Sequence, residues 1–157
     1  MEYDVRLEQH IGRPLAVVRR RAQIPELPKV VPDACGAVWS VVRSQKIPGV
    51  GRNIAVYLDG QINLEVGVEL EAPFAGHGEV VGSTTLSGPV ATTTHYGPYH
   101  LLKGAHEAII EWCRSNGRTL AGPSWEIYGH WKDEWNRDPS KITTDVFYLL
   151  VPDNSNA

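Results

Sequence analysis

The chain has 157 residues, of which 42% are hydrophobic and 21% are charged, and it carries a formal net charge of −3. This length is sufficient for one domain with a sizeable core, and the small negative charge argues against a broad electrostatic surface for nucleic acid. The sequence has no run of about 18 apolar residues, and Met1 to Asp4 is not an apolar signal region. We therefore expect a cytoplasmic protein without a membrane span.

Hydrophobic periodicity and turn-forming dipeptides divide the first half of the chain into two strands, a helix and two further strands. The predicted elements are Tyr3 to Gln9, Leu15 to Ala22, a helix from Pro32 that stops before Pro48, Asn53 to Asp59, and Ile62 to Glu71. The first two strands are predicted to form a hairpin, and Asp59-Gly60 predicts a second hairpin turn. Ile24 to Val31 carries two prolines and is predicted to be a connector.

The second half of the chain repeats this order of elements. Its predicted elements are extended arms over Glu79 to Ser87 and Pro89 to His95, a helix from Gly97-Pro98 to Asn116-Gly117, a strand over Gly122 to Trp131, and a last strand over Ile142 to Val151. The polar loop from Asp133 to Lys141 is interpreted either as a lid or as a solvated loop. The terminal residues Asn154 to Ala157 are expected to fray.

The two halves also match in sequence. A shift of 71 residues superposes Ala34, Ala37, Arg43, Ser44, Gly51 and Tyr57 on Ala105, Ala108, Arg114, Ser115, Gly122 and Tyr128. A shift of 80 residues superposes the last strand of each half. We interpret this as a duplication within one domain spanning residues 1–157, with pseudo-repeats at about 1–75 and 76–153. The predicted fold is α+β, with paired strand–helix–strand–strand repeats and a central ligand groove between them.

Glu126 is the unusual residue of the strand from Gly122 to Trp131, because it is a carboxylate among aromatic and β-branched side chains. Alternation places Glu126, Tyr128 and His130 on one face and Trp125 on the other, which is the predicted core face. A buried carboxylate is costly unless it is compensated. Glu126 is therefore interpreted as the partner of a ligand cation, as a base that activates water, or as a structural acid bonded to Tyr128 or a backbone amide. Its repeat equivalent is Ala55, so the acid belongs to the second half alone.

Four aromatic residues are candidates for the walls of a binding site: Tyr57, Tyr96, Tyr128 and Trp39. Aromatic rings attract a cation and supply apolar area to flat ligands. Packing in the core is the alternative for each of them. His130 is a further candidate, either as a residue that orients Glu126 or shuttles a proton, or as a solvent-facing residue at the end of its strand.

Metal and nucleophile motifs are absent from the sequence. His95, His100 and His106 are five and six residues apart, which does not place two imidazoles on one helix face. The glycines are scattered at turns and form no phosphate loop. Cys35 and Cys113 are predicted to be buried free thiols. We therefore predict neither a metal site nor a cofactor.

The motifs Tyr96-Gly97-Pro98-Tyr99 and Gly122-Pro123-x-x-Glu126-Ile127-Tyr128, within two strand–helix–strand–strand halves, resemble the GyrI-like, or transcription-activator effector-binding, domain family. The resemblance covers nearly the whole chain. It implies a bacterial small-molecule-binding fold, and many members bind bulky, hydrophobic and often cationic compounds. The family's pocket glutamate corresponds to Glu126.

The resemblance leaves three functions open for this chain. The first is binding of a hydrophobic small molecule, for sensing or sequestration, as in multidrug-binding members. The second is hydrolysis of cyclopropane rings in reactive natural products, with Glu126 as the general base. The third is a gyrase-inhibitor type of protein-interaction module. Because the domain begins at about Tyr3, without a helix-turn-helix, we expect no direct nucleic acid binding. A homodimer and a protein partner are left open.

Overall fold

A computed structural model describes residues 2–59 and 63–153. In chain order its strands and helices are β1 (Arg6–His10), β2 (Pro14–Arg21), α1 (Leu27–Ser44), β3 (Asn53–Tyr57), β4 (Asn63–Glu69), β5 (Val81–Thr84), β6 (Gly88–Tyr96), α2 (Lys103–Ser115), β7 (Leu120–Tyr128), α3 (Glu134–Arg137) and β8 (Thr143–Leu150). They form two compact units. The N-terminal unit comprises residues 11–86, and the C-terminal unit comprises residues 1–10 and 87–157. The α+β fold predicted from the sequence is confirmed.

The N-terminal unit is an antiparallel sheet in the order β3-β4-β2-β5, with α1 packed against β4 and β2. Leu15 to Val18 of β2 are fully buried. A buried central strand needs hydrogen-bonding partners on both edges, and β4 and β5 supply them. The predicted hairpin between the first two strands is therefore wrong, because β1 pairs with β6 instead.

Helix α1 begins five residues earlier than predicted, at Leu27 rather than at Pro32. A 3₁₀ turn over Ile24–Glu26 leads into it. Pro28 lies in the first turn, where a missing N–H costs no helical hydrogen bond. Pro32 lies inside the helix, which continues past it. The predicted connector is therefore mostly helical. None of the helices in the described part of the chain is both long and apolar enough to span a membrane.

The C-terminal unit is an antiparallel sheet in the order β1-β6-β8-β7. Helix α2 packs against β6 and β8 and ends at Ser115, just before the predicted Asn116-Gly117 stop, where Gly117 has a φ of 64° that favours glycine. The core under α2 consists of Ala91, Leu102, Ala105, Ile109, Cys113, Val146 and Leu150. On the opposite face of the sheet, Trp125 stacks on Phe147 with ring centroids 5.6 Å apart.

The β3–β4 and β7–β8 hairpins share one pairing register. Ala55 pairs with Val66, and Glu126 pairs with Val146, so the partners differ by the shifts of 71 and 80 residues found in the sequence. This agreement supports the interpretation as a duplication, which remains a prediction. The predicted Asp59-Gly60 turn, the start of a strand at Ile62 and the fraying of residues 154–157 lie wholly or partly outside the described residues.

Candidate functional site

Glu126 lies under α2. It pairs with Val146 of β8, which belongs to the core that packs against this helix. Directly paired residues of antiparallel strands point to the same face of a sheet, so Glu126 also points toward α2, and it is 6% exposed. Trp125 and Ile127 on the opposite face are buried as well. Both faces of the strand are therefore buried at this point.

His106 of α2 is bonded directly to the acid. Its Nε2 lies 2.6 Å from Oε2 of Glu126, and its Nδ1 lies 2.8 Å from the hydroxyl oxygen of Tyr148. An ionised carboxylate only accepts hydrogen bonds, so Nε2 carries the hydrogen and donates it to Glu126. The His106 side chain is 21% exposed. The buried carboxylate is thus compensated by an imidazole that reaches the protein surface.

Tyr128 holds the second carboxylate oxygen. Its hydroxyl donates a hydrogen bond of 2.6 Å to Oε1 of Glu126. The ring of Tyr99, in the 3₁₀ turn Tyr99–Leu101 before α2, meets the Tyr128 ring edge-on at a centroid distance of 5.7 Å. Tyr99 is 43% exposed. The exposed ring of Tyr99 therefore contacts the ring of Tyr128, which in turn contacts the buried acid.

Tyr148 completes the polar cluster on β8. Burial, together with the negative charge of Glu126, raises the pKa of Tyr148 to about 12, and a hydrogen bond with Ser124 acts in the opposite direction. Its phenol is therefore protonated at neutral pH. The ring also meets the His106 imidazole edge-on, with centroids 5.6 Å apart. The pair of Tyr148 and Glu126 holds both nitrogens of His106, which fixes the orientation of the imidazole.

Residues 3–150 match the family described as the GyrI-like small molecule binding domain. The chain is a GyrI-like domain. The resemblance found in the sequence is thereby confirmed. No curated protein sequence matches the chain.

Several solved structures share the fold of this GyrI-like domain. The EcmrR C-terminal domain has a TM-score of 0.76 at 20% identity, over 98% of this chain and 100% of that one. SAV2435 bound to tetraphenylphosphonium has a TM-score of 0.68 at 14% identity, over 96% and 94% of the two chains. A hydrolase encoded by lin2189 from Listeria innocua has a TM-score of 0.62 at 10% identity, over 94% and 91%.

The remaining site residues predicted from the sequence are Tyr96, His130, Trp39 and Tyr57. Tyr96, at the end of β6, and His130, two residues beyond the end of β7, are exposed. Trp39 and Tyr57 belong to the N-terminal unit. There Nε1 of Trp39 donates a hydrogen bond of 2.7 Å to Oδ1 of Asn53, and Tyr57 is buried. Of the predicted set, the structure joins Glu126 and Tyr128, and a role for the others in the site stays a prediction.

Two open recesses of this GyrI-like domain lie away from the acid. One, of about 740 Å³, is lined by Tyr3, His100, Leu101, Lys103, Gly104, Glu107 and Ala108. The other, of about 320 Å³, is lined by Arg19, Arg20, Arg21, Leu58, Asn63 and Leu64. The ligand groove expected between the two halves stays a prediction.

The loop predicted from Asp133 to Lys141 contains α3, and its Trp135 is buried against Trp131.

Sequence reasoning missed His106 and Tyr148. His106 was considered only as a possible metal ligand, together with His95 and His100. A signal was nevertheless present, because His106 follows Leu102 by four residues and precedes Ile109 by three, and both are buried under α2. A histidine at that spacing lies beside the apolar stripe of the helix. Hydrophobic periodicity does not predict which residue of the sheet such a histidine contacts.

The polar cluster is specific to the C-terminal unit. The repeat alignment places Cys35 opposite His106, Ala55 opposite Glu126 and Val68 opposite Tyr148. Only the tyrosine pair, Tyr57 and Tyr128, is retained. Burial raises the pKa of the Cys35 thiol to about 11, so this residue is neutral at pH 7. A strand–helix–strand–strand unit of this type therefore forms with uncharged residues at all three positions.

Proposed function

We propose that this GyrI-like domain binds bulky, hydrophobic cations, and that Glu126 is the anionic end of their binding site. The observation that carries the proposal is the buried carboxylate of Glu126, which is held by His106 and Tyr128. A buried charge is costly unless it is paired. The N-terminal unit has Ala55 at the equivalent position. A unit of this type can therefore form without a buried acid there, and Glu126 is not needed for the fold.

The aromatic surroundings favour a cation with an apolar surface. Tyr99 and Tyr128 provide two rings beside the acid, and a desolvated ring attracts a cation by up to about 2 kcal/mol. Tyr96, Trp39, Tyr57 and His130 are proposed as further wall residues. The fold neighbour SAV2435 is described as bound to tetraphenylphosphonium, a cation with four phenyl groups. That compound is therefore a suitable first probe for this chain.

The test compares tetraphenylphosphonium with neutral triphenylphosphine oxide in titrations that follow tryptophan fluorescence. Glu126→Gln keeps the shape of the side chain but removes its charge. We expect this variant to bind the cation at least about tenfold more weakly, which corresponds to roughly 1.4 kcal/mol, and to bind the neutral compound nearly as well as the wild type. Glu107→Gln, an exposed residue on the same helix, is the matched control and should change neither affinity. Equal losses for both compounds with Glu126→Gln would refute the charge-pairing role.

A second candidate function is hydrolysis of a strained cyclopropane ring. It is favoured by the placement of a carboxylate beside two phenols, Tyr128 and Tyr148, of which Tyr148 has a raised pKa. Glu126 would remove a proton from water as the new C–O bond forms and the ring C–C bond breaks. The released electron pair would move to a conjugated carbonyl, whose oxygen Tyr128 or Tyr96 would hold. One fold neighbour is described as a hydrolase.

Turnover of a cyclopropyl-indole compound, followed by product analysis, separates the two functions. An enzyme should lose turnover in Glu126→Gln while it still binds the compound. If the wild-type protein binds tetraphenylphosphonium but leaves the cyclopropyl-indole intact, the binding function stands alone.

A further inference from the structure

The oxygen of Glu126 that faces α2 is already occupied. Nε2 of His106 lies 2.6 Å from Oε2, so a cation that approaches this oxygen meets the imidazole first. We propose that His106 is an internal counter-cation, which a cationic ligand must displace, and that it thereby sets the selectivity of the site between cations and neutral ligands. This inference rests on the proposed binding function and adds a specificity-determining residue to it.

The titratable groups near His106 lie on the sheet and on α2 itself. From β7 Glu126 faces it, with Tyr128 bonded to the same carboxylate, and from β8 Tyr148 does, whose pKa is raised by burial. From β6, His95 is held by the hydroxyl of Tyr3 and the carbonyl of Pro98. On α2 itself, Lys103 and Glu107 pair with each other in solvent, and burial raises the pKa of the Cys113 thiol. Of the two residues that hold the ring nitrogens of His106, Glu126 is the acid and Tyr148 is a phenol.

The imidazole lies closer to solvent than the carboxylate does. Its side chain is 21% exposed, whereas that of Glu126 is 8% exposed. A rotation of His106 about its side-chain bonds would carry the ring toward water and leave the carboxylate in place. The N-terminal unit has Cys35 at the equivalent position, so the scaffold does not depend on a histidine there.

Displacement of His106 by a ligand cation would couple ligand binding to the release of a proton. A carboxylate forms its stronger hydrogen bond with the charged form of an imidazole, and His106 loses this interaction with Glu126 when a ligand cation takes its place. On this proposal, the loss of its anionic partner makes His106 give up that proton. Cation affinity should therefore rise with pH across the imidazole range, by up to about tenfold per pH unit for one released proton. A neutral ligand that leaves the pair intact releases no proton.

The experiment measures tetraphenylphosphonium binding by titration calorimetry from about pH 5.5 to 8, in two buffers of different ionisation enthalpy. The wild type should release up to one proton per cation bound. His106→Gln keeps a side-chain amide donor for Glu126 but carries no charge. It should release no proton, lose the pH dependence in this range, and bind the cation several-fold more tightly near pH 6. His77→Gln, at an exposed site in the N-terminal unit, is the matched control and should behave as the wild type.

Two further measurements keep the outcome interpretable. Melting curves establish that His106→Gln is folded, and the ¹⁵N shifts of His106 in the wild type report its protonation even if the variant fails to fold. A change of these shifts from imidazolium to neutral imidazole upon cation binding supports the proposal. If Glu126→Gln weakens cation binding but the wild type releases no proton, the counter-cation role is overturned and the binding function survives. If Glu126→Gln has no effect on cation binding, the binding function itself fails.

Discussion

The pair of Glu126 and His106 should show strong energetic coupling in the ligand-free protein. Glu126→Ala leaves the Nε2 of His106 and the hydroxyl of Tyr128 without the acceptor that they share. Each lost charge-assisted hydrogen bond costs roughly 1.5–3 kcal/mol. Because His106 is partly exposed, water can compensate part of this loss, so we expect a destabilisation of about 2–4 kcal/mol. His106→Ala in turn leaves a buried carboxylate without its imidazole partner.

The assay is urea unfolding at pH 7 of the wild type, the two single variants and the double variant. The double variant removes both members of the pair, so it should be less destabilised than the sum of the singles, with a coupling energy of about 1–3 kcal/mol. In melting experiments Glu126→Ala alone should lower the midpoint by roughly 4–16 °C at this chain length. Single effects that add to within about 0.5 kcal/mol would refute the account of a coupled buried pair.

Three further predictions concern the N-terminal unit. Gly67→Ala should lower stability by about 3 kcal/mol or more, since an added Cβ would overlap the backbone of β2; near-wild-type unfolding in urea would contradict this. Glu69→Ala should cost roughly 2–3 kcal/mol in the same assay, because the buried carboxylate pairs with the half-exposed Arg13 and Arg52, whereas a loss below about 0.5 kcal/mol would refute a structural role. The Cys35 thiol, whose pKa burial raises to about 11, favours folding below its unfolded pKa near 9. Stability should therefore fall by about 1–2 kcal/mol between about pH 9 and 11, and Cys35→Ala should remove this part of the pH dependence.

Periodicity and turn residues were sufficient to predict most elements of the fold. The strands from Asn53 and Gly122 appear close to the predicted bounds because they are short apolar runs between turn signals. The start of α1 was missed because Pro25 and Pro28 were interpreted as marks of a connector and Pro32 as the first turn of the helix, although Pro28 lies where a proline costs no hydrogen bond. The partner of β1 was also missed, since strand pairing depends on contacts between residues far apart in the sequence.

The candidate site was predicted only in part, because it also depends on contacts between residues far apart in the sequence. Glu126 was identified from its local anomaly, an acid in an apolar strand, and Tyr128 from its place two residues away. The bond to His106 joins residues 20 positions apart, and the bond from His106 to Tyr148 joins residues 42 positions apart. Neither can be read from spacing within one element, because both depend on how α2 lies across the sheet.

The central claim is that Glu126 holds a ligand cation in the place now taken by His106. A crystal structure of the protein with tetraphenylphosphonium tests it most directly. The account predicts that the phosphorus atom lies within about 6 Å of the Glu126 carboxylate, the range over which opposite charges interact strongly, and that Nε2 of His106 has left Oε2. A cation bound elsewhere, with the bond between His106 and Glu126 intact, would contradict the account.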